Sequence, residues 1–79
     1  MAVVIGFQKK LGATEPRLQP TTVVCHWSIS PDRGMGRLLQ LDTVGSKQRQ
    51  NPGKQSQTLQ FTVESARELM RILTNEFKL

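Results

Sequence analysis

The sequence predicts an α+β fold, in which an antiparallel β-sheet of about four strands is followed by one C-terminal amphipathic helix. Two observations lead to this prediction. Apolar and polar residues alternate over much of residues 21–61, as in strands, and apolar residues recur with the helical period after residue 62. A run of strands followed by a helix is typical of α+β proteins. We therefore expect a single β-β-β-β-α domain over residues 1–79.

The first predicted strand lies close to the N-terminus. Residues 3–8 (VVIGFQ) are apolar and β-branched, which favours a strand. Residues 9–20 contain Gly12, Pro16 and Pro20 and show no periodicity, which indicates a loop.

The second and third predicted strands form a hairpin. Residues 21–30 (TTVVCHWSIS) and residues 37–44 (RLLQLDTV) both alternate, and the stretch SPDRGMG between them is rich in turn residues. Successive side chains of a strand point to opposite faces of the sheet. The apolar face of the first of these strands consists of Val23, Cys25, Trp27 and Ile29, and its other face consists of Thr22, Val24, His26 and Ser28.

The fourth predicted strand has one partly apolar face and one polar face. Residues 45–53 are a predicted loop, and residues 54–61 (KQSQTLQF) are the strand. We expect its apolar side chain Phe61 to lie in the core. The opposite face is wholly polar and suits a surface that contacts solvent or a ligand; it consists of Lys54, Ser56, Thr58 and Gln60.

The tail of the chain is a predicted amphipathic helix. Thr62 is a suitable N-cap, and Glu64 in the first turn complements the helix dipole. The apolar face has the spacing of a helix and consists of Ala66, Leu69, Met70, Leu73 and Phe77.

The size of the chain predicts a shared core. One core in a chain below about 70–80 residues rarely supplies more than a few kcal/mol. The single cysteine, Cys25, excludes an intramolecular disulfide, and Cys25 with His26 provides too few ligands for a zinc site. We therefore expect a homodimer without a cofactor.

The N-terminal sequence predicts neither a signal peptide nor a membrane anchor. The apolar stretch of residues 2–7 is shorter than the h-region of a signal peptide, and no segment approaches the length of a membrane span. A single free thiol also suits a reducing compartment. We expect a cytoplasmic protein.

Charge points to a polyanionic partner. The formal net charge is +5, and the excess lies in residues 1–20 and 45–60. The second of these segments holds Lys47, Arg49 and Lys54 and no acidic residue. Localised positive charge is typical of proteins that bind nucleic acid, although a solvated loop would have the same composition.

The sequence shows no combination of nucleophile, base and orienting residue that would indicate catalysis. Cys25 and His26 are neighbours on a strand and point to opposite faces, so they cannot act as a nucleophile and its base. We expect Cys25 to be buried and unreactive. The pair Gly53-Lys54 lacks the upstream glycine and the following Ser or Thr of a phosphate-binding loop. The sequence therefore does not predict an enzyme.

Binding to a single strand needs cations for the phosphates and flat side chains for the bases. Trp27 could stack on a base, but its apolar face favours core packing. Ser and Thr side chains can also donate hydrogen bonds to phosphates or bases. The candidate nucleic-acid-binding residues are Lys9, Lys10, Trp27, Arg37, Lys47, Arg49, Lys54, Ser56 and Thr58.

The second half of the chain combines three motifs. Gly36-Arg37 opens a strand that reaches Asp42, a Pro-Gly pair before Lys54 precedes a short strand, and Thr62 caps a helix. In this combination residues 36–73 resemble the single-stranded-DNA-binding domain of transcriptional positive cofactor four and its small bacterial and phage relatives.

This resemblance implies a homodimer in which helices pack between subunits and curved sheets present ridges to unpaired strands. It implies that Arg37 and Lys54 face phosphates. The predicted dimer interface consists of Leu69, Met70, Leu73 and Phe77. Our first hypothesis is a non-enzymatic, coactivator-like binder of single-stranded DNA. The alternative is a protein-interaction module, whose glutamine-rich basic edge recruits a partner by strand addition.

Overall fold

Four strands and one helix make up the fold. The computed structural model describes residues 1–12, 15–44 and 55–79, the side chains of residues 55 and 56 excepted. The elements are β1 (Ala2–Val4), β2 (Cys25–Ser30), β3 (Leu38–Val44), β4 (Gln55–Phe61) and α1 (Val63–Phe77). The strands form one sheet in the order β1-β4-β3-β2, and α1 packs against β3 and β4. The predicted α+β fold is confirmed.

The sheet is mixed and not wholly antiparallel as predicted, because β1 runs parallel to β4. Ala2 lies opposite Leu59, and β1 is shorter than the strand predicted over residues 3–8. The chain beyond β1 turns towards the core, where the Phe7 ring stacks on Phe61 with centroids 6.2 Å apart. An apolar run does not encode the direction of its partner strand, so parallel pairing was not predictable from this segment alone.

The β2–β3 hairpin is confirmed, although β2 begins at Cys25 and not at residue 21 as predicted. Trp27 lies opposite Leu41 in an antiparallel register. In the turn, Asp32 Oδ1 accepts hydrogen bonds from the backbone N–H groups of Gly34 (2.8 Å) and Gly36 (2.9 Å). These two bonds lower the pKa of Asp32, since they stabilise its charged form. Both glycines have positive φ angles, which suit residues without a Cβ.

A capping box fixes the start of α1. Thr62 Oγ1 accepts from the Ser65 N–H (3.0 Å), and Ser65 Oγ accepts from the Thr62 N–H (2.9 Å). Both residues are buried. Reciprocal bonding of this kind satisfies two amides that the helix itself leaves unpaired. The predicted N-cap is therefore confirmed.

The apolar core is small. Phe61 is 5% exposed and is the only buried apolar residue in the part of the chain that the structure describes. Its predicted core position is confirmed, whereas two other predictions are wrong. Cys25 is exposed, and Trp27 keeps 70% of its surface accessible. Within the described part of the chain, α1 packs on β3 and β4 and leaves the apolar face of β2 uncovered.

Candidate nucleic-acid interface

The sheet has a polar face on the side opposite α1. The register places His26 opposite Asp42 and Asp42 opposite Thr58. One step along the strands, Gln40 lies opposite Gln60. These five residues, which we call the polar ladder, cross β2, β3 and β4.

Side-chain hydrogen bonds connect most of the polar ladder. Thr58 Oγ1 donates to Asp42 Oδ1 at 2.7 Å, and Gln40 Nε2 donates to Asp42 Oδ2 at 3.0 Å. Gln60 Nε2 in turn donates to Gln40 Oε1 at 2.8 Å. The ladder is therefore an ordered surface that retains free hydrogen-bonding capacity, since each amide and carboxylate has further lone pairs or protons.

Asp42 gives the polar ladder a negative centre. The Thr58 hydroxyl is the main cause that lowers the pKa of Asp42, followed by the Gln40 amide, and the charge of His26 acts in the same direction. The carboxylate is therefore ionised at neutral pH. The sequence predicted an acid-free face from β4 alone, but β3 places an anion directly beside it. A phosphate would be repelled at this point.

Two shallow grooves flank the polar ladder. One, of about 390 Å³, is lined by Gln40, Gln60 and residues of the β2–β3 turn that include Arg33. The other, of about 430 Å³, lies between β1 and β4 and is lined by Val3, Thr58 and Gln60. Gln60 borders both grooves, whose other lining residues include apolar side chains such as Leu38 and Val3.

The predicted nucleic-acid-binding residues do not all meet on this face. Thr58 belongs to the polar ladder. Trp27 lies on the opposite face, because it pairs with Leu41, and Leu41 pairs with Leu59 below α1. Arg37 is also separated from Thr58, since it lines an apolar groove with Ile29 at the start of α1. One site therefore cannot contain Thr58 together with Trp27.

The other predicted residues lie elsewhere in the chain. Lys9 and Lys10 are exposed in the segment that follows Phe7. Lys47, Arg49 and Lys54 and the side chain of Ser56 lie outside the described residues. Lys47, Arg49 and Lys54 belong to the sequence between β3 and β4.

Four residues of this face were not predicted from the sequence. Alternation shows that Gln40 and Asp42 lie on the same side of β3, but it does not show which strands are paired with β3 and therefore which residues lie beside them. The hairpin register supplies that information. The residues missed are His26, Gln40, Asp42 and Arg33.

The described residues contain neither a cluster of metal ligands nor a membrane-spanning helix. Residues 1–12, 15–44 and 55–79 contain no group of three or more His, Cys, Asp or Glu that could hold a metal ion. Within the same ranges, no helix has the length and apolar character needed to cross a membrane.

Comparison with known proteins yields no relative. No protein-family model, curated protein or solved structure matches this chain.

Proposed function

We propose that this protein is a non-enzymatic, homodimeric binder of single-stranded nucleic acid, with DNA as the favoured ligand. The observation that carries the proposal is the hydrogen-bonded polar ladder, on the face of the sheet opposite α1, in a chain with a net charge of +5. The face offers donors and acceptors in fixed positions, and the chain carries cations in the sequences that connect β2 with β3 and β3 with β4.

The ladder has the chemistry to contact bases. Glutamine amides such as those of Gln40 and Gln60 form paired hydrogen bonds with adenine, and a carboxylate such as Asp42 accepts from the amino group of cytosine. These base edges are accessible in a single strand, where they are not occupied by pairing. An ionised Asp42 is therefore compatible with base contact, although it disfavours phosphate contact.

The phosphates would lie at the rim of the polar face. Arg33 borders one groove at the β2–β3 turn. Lys47, Arg49 and Lys54 lie in the sequence between β3 and β4, and we expect them to contact phosphates as well. The resemblance of residues 36–73 to the cofactor-four family supports this assignment and the dimer.

Fluorescence anisotropy of labelled oligonucleotides tests the proposal. We expect the triple variant Lys47→Ala, Arg49→Ala and Lys54→Ala to bind at least tenfold more weakly than the parent. Each phosphate contact to a single strand contributes about 0.7 to the slope of log affinity against log salt concentration, so the slope should fall by roughly 2. The matched control is Arg67→Ala with Arg71→Ala, which removes two exposed cations from α1.

Two outcomes would count against the proposal. The absence of binding at low salt would reject binding itself, and an equal loss of affinity in the α1 control would reject Lys47, Arg49 and Lys54 as its specific site. A pull-down from nuclease-treated lysate would then examine the alternative, a protein-interaction module, which predicts a partner that persists after nuclease treatment.

A further inference from the structure

Strand β2 is an edge of the sheet that lacks the usual protection against pairing. Natural edge strands carry charged residues, prolines or bulges that prevent association with other strands. The sequence of β2, CHWSIS, has no Lys, Arg, Asp, Glu or Pro, and its pairing with β3 is regular over all six residues. Five of its six residues are exposed.

An uncovered apolar surface extends from β2 to α1. Trp27 is 70% exposed and Ile29 is 44% exposed. Ile29 shares a groove of about 270 Å³ with Val63, the first residue of α1. Met70 and Phe77 follow Val63 at intervals of seven residues, which keeps them close to one helix stripe, and they are 67% and 68% exposed.

The exposed area of the chain is large for a monomer. The chain exposes 7250 Å² and has a mass of 8.9 kDa. A folded monomer of that mass exposes about 4,800 Å². Part of this difference lies in residues 8–12 and 15–24, which are exposed throughout, and the exposed apolar residues of β2 and α1 contribute to it as well.

We propose that two copies of this chain pair through antiparallel β2 strands, which gives a continuous eight-stranded sheet with both helices on one side. This inference concerns the homodimer of the proposed function and does not depend on nucleic acid. Residues that lie directly opposite each other in an antiparallel pair share a face of the sheet. Both copies of Trp27 therefore lie on the helix side of the joined sheet, and the polar ladders continue across the other side.

The spacing of the elements allows this assembly. Strands are about 4.8 Å apart, so a helix above the β3–β4 boundary lies about 10 Å from the dimer axis, and the two helices lie about 19 Å apart. A helix with side chains is about 10–12 Å across. The remaining gap of about 8 Å holds roughly one layer of side chains. We assign this gap as the dimer core, which is filled by Trp27, Met70 and Phe77 of both copies.

Sedimentation equilibrium of the purified chain, without nucleic acid, tests the association. We expect a mass of twice 8.9 kDa. Trp27→Lys should weaken dimerisation at least a hundredfold, because it places a charge in the dimer core, whereas the fold of the monomer tolerates a change at this exposed site. Met35→Lys is the matched control, since Met35 is also an exposed apolar residue (53%) but lies in the hairpin turn, and it should leave the dimer unchanged.

Chemical cross-linking tests the strand pairing. When the two β2 strands overlap along their whole length, the two-fold axis passes through Trp27 or Ser28, the middle residues of β2. The two copies of residue 28 then lie directly opposite each other, or they are offset by two residues along the strands. In a Cys25→Ser background, Ser28→Cys should cross-link rapidly with a short bismaleimide, and Met35→Cys should not. In the parent chain, the two Cys25 residues would lie at least 13 Å apart along the strands, estimated at about 3.3 Å per residue. That separation exceeds the reach of a disulfide.

Several results would overturn this inference. They are a monomeric mass at every concentration, an undiminished dimer in Trp27→Lys, and equal cross-linking of residues 28 and 35. A dimer that Met70→Glu dissociates and Trp27→Lys does not would show pairing through the helices alone. If the dimer forms as expected but oligonucleotides do not bind, the inference stands and the proposed function fails.

Discussion

At the scale of single residues, Asp42 links the stability of the sheet to pH. Its folded-state pKa lies below the ordinary value of 3.8, so the unfolded chain holds the proton more tightly. The hydrogen bonds from Thr58 and Gln40 therefore stabilise the fold above about pH 4, and this contribution is lost as the pH falls through the lowered pKa. We expect the free energy of unfolding, measured by urea denaturation, to fall less steeply with decreasing pH in Asp42→Asn than in the parent. Glu15→Gln, a change at an exposed site, should give the same pH dependence as the parent. The same decrease of the free energy of unfolding below about pH 4 in the parent and in Asp42→Asn would contradict this role of Asp42.

Thr58→Val isolates the strongest of these hydrogen bonds. The substitution keeps the shape of the side chain and removes the hydroxyl that donates to Asp42 at 2.7 Å. The pKa of Asp42 should rise towards its ordinary value, because the charged form loses its main stabilising contact. Titration of the Asp42 carboxyl group by NMR measures this change. The control is Ser28→Ala, which changes a residue of β2 on the same face of the sheet as Thr58 and should leave the titration of Asp42 unchanged.

Phe61 is the residue on which the core depends. It is the most buried apolar residue described and stacks on Phe7. Phe→Ala changes in cores cost about 3–5 kcal/mol, which is comparable to the whole stability expected for a chain of this size. We expect Phe61→Ala to unfold the chain at 25 °C and Phe61→Leu to remain folded, as measured by far-UV circular dichroism. A folded Phe61→Ala variant would show that the core lies elsewhere.

At the scale of the elements, local signals predicted α1 and the β2–β3 hairpin. Thr62 and the helical period located the start of α1, and the Asp32 turn located the hairpin, because caps and turns depend on a few adjacent residues. The parallel pairing of β1 and the exposure of Trp27 depend on contacts with distant segments. Alternation shows which residues share a face of a strand, but it does not show whether another layer covers that face.

The capping box of α1 allows a quantitative test at this scale. Thr62→Ala removes the acceptor for the Ser65 N–H in a buried setting, and loss of a cap costs about 0.5–2 kcal/mol. For a domain of this size, a loss of 1 kcal/mol lowers Tm by roughly 4–8 °C. Thr74→Ala is the control, since Thr74 is an exposed helix residue and alanine has the higher helix propensity. Scanning calorimetry should show a lower Tm for Thr62→Ala only; equal Tm values for both variants would contradict the role of the cap.

At the scale of the whole molecule, the division between the two faces of the sheet organises both proposals. The face below α1 carries the apolar residues that a second copy would cover. The opposite face carries the polar ladder, which stays accessible in an assembly that grows at the β2 edge. The two proposals therefore assign dimerisation and ligand binding to different surfaces, and joining two sheets would extend the polar face without obstructing it.

A fold that completes its core in a dimer should gain stability with concentration. Mass action adds about 1.4 kcal/mol to the stability of a dimer for each tenfold rise in protein concentration. For two chains of 79 residues, this corresponds to a rise in Tm of about 3–6 °C per tenfold. Scanning calorimetry of the parent chain over two decades of concentration should show this trend. Trp27→Lys, which prevents pairing, should have a lower Tm that does not change with concentration, and a parent Tm that is equally constant would show that the single chain holds a complete core.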